Sequence, residues 1–185
     1  MNTSSHKTLR FTLGGIAAAF TLAAAPAAQA HITLAPSQAA VGGYYRATLR
    51  VPHGCDGSDT TGLRIRIPDG VLDVKPMPKP GWTLAIKQGP YDHPQTMHGS
   101  KVDQGVREIA WSGGDLPDAY YDEFTFLAYL APSLKPGSTL YFPTIQDCKK
   151  GTTRWIDTSG HEEGAGDPAP HLKLTAPNAS GHHGK

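Results

Sequence analysis

The sequence predicts an all-β fold: an antiparallel β-sandwich of the immunoglobulin- or cupredoxin-like Greek-key type. Three observations carry that reading. Apolar and polar residues alternate in short runs. No segment sustains a 3.6-residue period, and sixteen prolines would break most helices. Turn chemistry recurs between the runs, as at Pro68-Asp69-Gly70 and in "KPGS" from Lys135 to Ser138.

The first thirty residues stand outside that fold. Lys7 and Arg10 form a basic start, and Phe11 to Ala24 is an apolar run of about fourteen residues, short for a membrane span. Ala28-Gln29-Ala30 is an A-x-A processing site. The expectation is a secretory signal peptide over 1–30, cut after Ala30, and an exported chain. No Cys sits near the cut, which argues against a lipoprotein anchor, and no later segment is apolar enough to span a bilayer.

The remaining residues suit one domain, expected over 31–175, with a polar tail over 176–185. Its strands can be read in order. Tyr45, Ala47, Leu49 and Val51 alternate with Arg46, Thr48 and Arg50. Leu63, Ile65 and Ile67 alternate with Arg64 and Arg66. Val71, Trp82 to Ile86 and Val106 to Trp111 continue the series. Phe124, Phe126, Ala128 and Leu130 share one face, leaving Glu123, Thr125, Leu127 and Tyr129 on the other. Leu140 to Phe142, Thr153 to Ile156 and His171 to Leu174 close the set.

Charge narrows the function classes. Loss of Lys7 and Arg10 takes Lys+Arg from 17 to 15 against 16 Asp+Glu, so the processed chain is nearly neutral. That argues against a nucleic-acid partner and against stable attachment to a membrane. Two cysteines, Cys55 and Cys148, permit one intramolecular pairing. In an oxidising compartment the even count points to a disulfide; neither has the C-x-x-C neighbour of a thiolate metal site. The bridge would close a loop of roughly 93 residues, worth about 4–5 kcal/mol in the chain-entropy account.

Three places in the sequence are candidates for metal chemistry. Cleavage after Ala30 makes His31 the first residue. Its amine and ring Nδ1 can then chelate one ion, a donor pair suited to Cu(II). The amine must lose a proton to bind, so affinity should fall in acid. Asp122-Glu123 offers carboxylate oxygen, with Glu123 opposite in phase to the Phe124/Phe126 face; pattern alone favours a solvated charge at a strand start. Trp155, in "KKGTTRWID", is a poor ligand but could cover one face of an ion; the ordinary reading is a core or rim tryptophan.

A second cluster, His93, Met97 and His98 in "YDHPQTMHG", groups soft and borderline ligands in what reads as a polar loop, and Met77 lies in "KPMPKP". Thioether ligands prefer Cu(I). The tail pair His182-His183 could hold metal loosely. His53, between Pro52 and Gly54, reads as a turn residue, and His161 and His171 carry no specific assignment.

The stretches "HITLAPSQAAVGGYYRATLRVPHGCDGSDTTGLRIRIPDGV", "PGWTLAI", "IAW", "EFTFLAYL" and "TIQDCKKGTTRWID" resemble the YcnI-like copper-binding domain, from His31 to about Ile156. The resemblance implies a β-sandwich holding Cu(II) through a mono-histidine brace. His31 would supply amine and ring nitrogens, Glu123 the carboxylate, and Trp155 a nearby indole. Asp122 competes with Glu123, because a one-residue slip swaps their faces. The two cysteines resemble the Gram-negative, periplasmic variants; a C-terminal membrane anchor, present in many Gram-positive relatives, is not expected.

The function expected is a periplasmic protein, not an enzyme, that buffers or delivers copper. Its partners would be copper and either a copper-importing membrane protein or another periplasmic copper chaperone. Two alternatives remain. One is a copper-dependent oxidative enzyme of the polysaccharide monooxygenase type, whose brace needs a second, internal histidine. The other is a metal-independent adhesion or carbohydrate-binding sandwich.

Overall fold

The computed structural model describes residues 31–160 and 167–178. The expected signal segment 1–30, His161 and the His182-His183 pair lie outside the described residues. The strands are β1 (Thr33–Ala35), β2 (Gln38–Ala40), β3 (Tyr44–Val51), β4 (Thr60–Arg66), β5 (Val71–Pro76), β6 (Thr83–Met97), β7 (Ser100–Leu116), β8 (Asp122–Leu130), β9 (Thr139–Tyr141), β10 (Thr144–Cys148), β11 (Thr152–Trp155) and β12 (His171–Thr175). No helix occurs among the described residues.

Two sheets face each other, one in the order β1-β3-β8-β5 and one in the order β11-β10-β4-β7-β6. The alternation explains the layering. Ala47, Leu49 and Val51 on β3 meet Phe124, Phe126, Ala128 and Leu130 on β8 in one inner face. Leu63 and Ile65 on β4, with Ile109 and Trp111 on β7, supply the other. All are buried in one continuous cluster, because side chains of period 2 place one apolar row per strand on the same side. The edge strands are β1 and β5 in the first sheet and β11 and β6 in the second. Every pairing in these two sheets is antiparallel.

Three features depart from the sequence expectation. A small third sheet, β2-β12-β9, contains a parallel pair, β2 with β12, because the chain crosses from one side of the sandwich to the other. The segment read as a polar loop at His93–His98 is strand and hairpin turn instead: β6 and β7 extend past Gln88 and Val106 into a long arm. That arm covers the outer side of β8. Tyr129, predicted on the outward face, is buried in a second cluster with Leu72, Tyr91 and Ala131, against which Met97 and Val102 pack. The Arg107 guanidinium, held by Asp69, ties the arm to the β4–β5 turn, and Asp69 also accepts from the Asp92 backbone N–H at 3.0 Å.

The predicted disulfide is present. Cys55 and Cys148, 93 positions apart, are joined with their Cα atoms 6.0 Å apart. The bridge links the loop after β3 to the end of β10, so it crosses from the first sheet to the second.

Candidate functional site: the seam between two edge strands

His31 precedes edge strand β1 and is exposed; Trp155 ends edge strand β11 of the opposite sheet and is 3% exposed. Their rings meet edge-on, with centroids 5.7 Å apart and planes at 76°. The contact closes the open side of the sandwich where its two edges come together. Ile32, next in the chain, is buried in the main cluster and pins the start of the strand.

The orientation of Trp155 is set by hydrogen bonds. Its indole N–H donates to Gln146 Oε1 at 2.9 Å. The amide of Gln146 donates in turn to the His53 carbonyl at 2.7 Å and to Thr60 Oγ1 at 2.8 Å. Gln146 is itself fully buried, a position a polar side chain holds only when its groups are paired. With its one donor committed, the indole can offer His31 only its carbon framework. It can shield an ion there and restrict approach, but it is not a nitrogen ligand.

The structure brings His31 and Trp155 together and places Glu123 elsewhere. Thr33, Arg50 and Glu123 form one row across β1, β3 and β8, so Glu123 lies two strands in from the edge. Its Oε1 accepts from Arg50 Nε at 2.8 Å, in a pair whose side chains are 56% and 40% exposed. Asp122, the competing carboxylate, binds Lys79 Nζ at 2.7 Å and accepts from the Glu123 backbone N–H at 2.8 Å. Lys79 is more enclosed, 17% exposed, and also lies over the Phe124 ring. An exposed pair contributes little, about 0–1 kcal/mol, so Glu123 is the more easily released of the two.

An imidazole at an exposed strand start, beside an indole whose N–H is already committed, is chemically compatible with an ion at His31. Among the described residues no three His, Cys, Asp or Glu side chains converge as a metal-holding group.

The second cluster is divided among separate partners. His93, 85% exposed, has Nδ1 3.7 Å from Asp69 Oδ2. Met97 packs against the apolar cluster under the arm. His98, in the hairpin turn with φ 48°, lies 4.9 Å from the Tyr129 ring and 6.2 Å from Tyr44.

One residue that sequence reading set aside stands at the seam. His53, taken for a plain turn residue, packs edge-on against the same Trp155, with centroids 6.4 Å apart and planes at 65°. Nothing in its spacing distinguishes it, because the contact depends on two sheets meeting.

The fold has a counterpart of known structure. An uncharacterized protein from Nocardia farcinica with an immunoglobulin-like fold superposes with a TM-score of 0.58, at 24% identity, over 78% of this chain and 98% of the other. At that identity the likeness speaks for the fold. No curated protein matches the chain. A family model described as a domain of unknown function, DUF1775, matches residues 31–174, nearly all of the sandwich, and the chain belongs to that family.

Proposed function

We propose that this is an exported, periplasmic copper-binding protein of the YcnI-like type, which holds Cu(II) at the processed N-terminus and buffers or hands on the ion without acting as an enzyme. The observation that carries the reading is the seam contact: a histidine at an exposed strand start set against a tryptophan whose only donor is bound internally. Copper is the cargo. His31 would hold it through its amine and Nδ1, Trp155 would limit water on one side, and Glu123, released from Arg50, would supply oxygen. The family match begins at His31, the residue that cleavage after Ala30 would expose. The receiving partner would be a membrane importer or a second periplasmic chaperone.

The test compares two forms of the mature protein by isothermal titration and Cu(II) electron paramagnetic resonance (EPR), one starting at His31 and one with a single extra residue before it. The first should bind one Cu(II). The second keeps the imidazole and loses the positioned amine, so its affinity should fall sharply. Equal affinity in the two forms would remove the amine from the site and with it this reading.

A further inference from the structure

We infer that the outer face of β4, β10 and β11 is a docking surface for an acidic, extended segment of a partner protein. The strand register lays the surface out. Arg154, Ile145 and Arg64 form one row across β11, β10 and β4. Arg66 lies two residues on from Arg64. Ile156, just past the end of β11, lies two on from Arg154, so both keep the same outward phase. The alternate residues, Leu63, Ile65, Gln146 and Trp155, are buried inside the sandwich. β10 is therefore the floor of a shallow channel, with arginines along both sides. Ile145 is half-buried on that floor, and Ile156 is 42% exposed at one end.

Charge on this surface is unbalanced. Its three arginines face one acid, Asp147, whose carboxylate stands 3.5 Å from Arg64 in a pair whose side chains are 47% and 39% exposed. Arg66 and Arg154 are exposed and have no hydrogen-bond or ion-pair partner among the described residues. One strand further, Glu108 is the cross-strand neighbour of Arg66 and Lys87 that of Glu108, so those two charges offset each other. The outer face of the other sheet is different. There Arg50 is paired with Glu123 at 2.8 Å and Lys75 with Asp73 at 3.0 Å.

Spacing and charge together select the occupant. A guanidinium holds a carboxylate through two parallel N–H donors. Residues two apart on a strand stand about 6.6 Å apart on one face. That is the spacing of Arg64 and Arg66, and equally of acids at alternate positions of an extended segment. Such a segment running above β10 would set its carboxylates between Arg154 and the β4 pair, whose strands are about 10 Å apart. Its apolar atoms would rest on Ile145 and Ile156. Arginine around an apolar centre is the composition of a protein interface. An anionic membrane is the poorer fit, because it takes clusters of about four to eight basic residues. Arg154 and Ile156 flank Trp155, on the strand that meets His31, so the occupant would lie at the edge of the sandwich where the ion is held. Its role as the receiver of copper rests on the copper reading above; the surface itself does not.

The test is an NMR titration of copper-free, isotope-labelled protein starting at His31 with an acetylated peptide of alternating Glu and Val. Shifts should gather at Ile145, Ile156 and the Nε–H groups of Arg64, Arg66 and Arg154. Changing Arg66→Gln and Arg154→Gln together should weaken binding about tenfold. Both side chains are exposed, so the fold should hold. Arg46→Gln, on the outer face of the other sheet, should leave the affinity unchanged. Absence of shifts at millimolar peptide, shifts gathered elsewhere, or equal binding of the same peptide with Lys in place of Glu would overturn the inference. Retention on phosphatidylglycerol vesicles in preference to the peptide, lost in the double variant, would assign the face to a membrane and overturn it as well. Peptide held at this face by a protein that takes up no Cu(II) would support the docking surface and remove the copper reading.

Discussion

His31 and His53 meet Trp155 at the seam of the sandwich; His98 meets Tyr44 and Tyr129 beneath the hairpin arm. Both regions set imidazoles against aromatic rings, but the rings are held differently. Trp155 is buried and its N–H is bound to a buried glutamine that also grips the neighbouring loop. Tyr44 is 56% exposed, and its hydroxyl stands 3.5 Å from His98 Nε2, at the limit of a hydrogen bond. The seam is specified by directional bonds and a covalent bridge, the arm by apolar cover and by salt bridges at Arg107. Directional bonds hold a ring at one angle, which a coordination site needs. Apolar cover tolerates rotation, which a lid over a sheet can accept.

The largest expected effect comes from removing the bridge. With Cys55 and Cys148 both changed to Ser, the unfolded chain regains a loop of 93 residues, and stability should fall by about 4–5 kcal/mol in chemical denaturation. The loss should be local in the native state. Amide exchange should quicken along 53–60 and 144–155 and change little along the arm, 87–105. Equal loss of protection in both regions would mean that seam and arm form one cooperative unit, and the contrast would fail.

A pair of substitutions sharpens the same contrast at smaller scale. Gln146→Leu keeps the volume but leaves the Trp155 N–H and the His53 carbonyl without their partner, which should cost about 2–4 kcal/mol. It should also shift the Trp155 fluorescence and weaken copper binding. Met97→Ala removes a partly buried side chain from the cluster under the arm and should cost about 1–2 kcal/mol with copper affinity unchanged. A larger stability loss at Met97, or weakened copper binding there, would reverse the assignment of order and function between the two regions.

The two regions were also unequally legible from sequence. Alternation is a one-dimensional signal, so the inner faces of β3, β4 and β8 and the outward phase of Glu123 could be read directly. The disulfide followed from there being two cysteines and one possible pairing. The arm is hidden from the sequence because His93, Pro94 and Gln95 look like loop residues, while the pairing of Gln95 with Val102 depends on a partner strand beyond the turn. Tyr129 was placed outward for a related reason: phase tells which side a residue faces, not what later covers it. His53 escaped notice because its neighbours at the seam, Gln146 and Trp155, come from the other sheet and lie more than ninety positions on. Contacts between edge strands of different sheets have no period.

The smallest expected effect concerns pH at the disulfide end of the seam. Lys149 bridges Asp59 at 2.9 Å and Asp115 at 2.9 Å, and Asp59 also accepts from the Asp118 backbone N–H at 3.0 Å. The hydrogen bond from Lys149, helped by that N–H, lowers the Asp59 carboxyl below its ordinary 3.8. The hydrogen bonds to Asp115 and Asp59 raise the Lys149 ammonium above its ordinary 10.5. The signs then follow. A lowered carboxyl stabilises the fold above its unfolded value, and that contribution disappears as pH falls through the lowered folded value. A raised ammonium contributes fully below 10.5 and is lost as pH rises through its raised folded value. The cross-link between 55–59 and 148–151 should therefore be firm across the neutral range and loosen only at the two extremes. The groups are solvent-exposed and screened, so the change in overall stability should be slight. The measurement is local: the Asp59 carboxyl carbon, followed by NMR, should titrate below 3.8. In Lys149→Met it should move back upward. A titration at or above 3.8 in the unsubstituted protein would remove the ion pair from the set of restraints that hold the seam, leaving the bridge and Gln146 to do so alone.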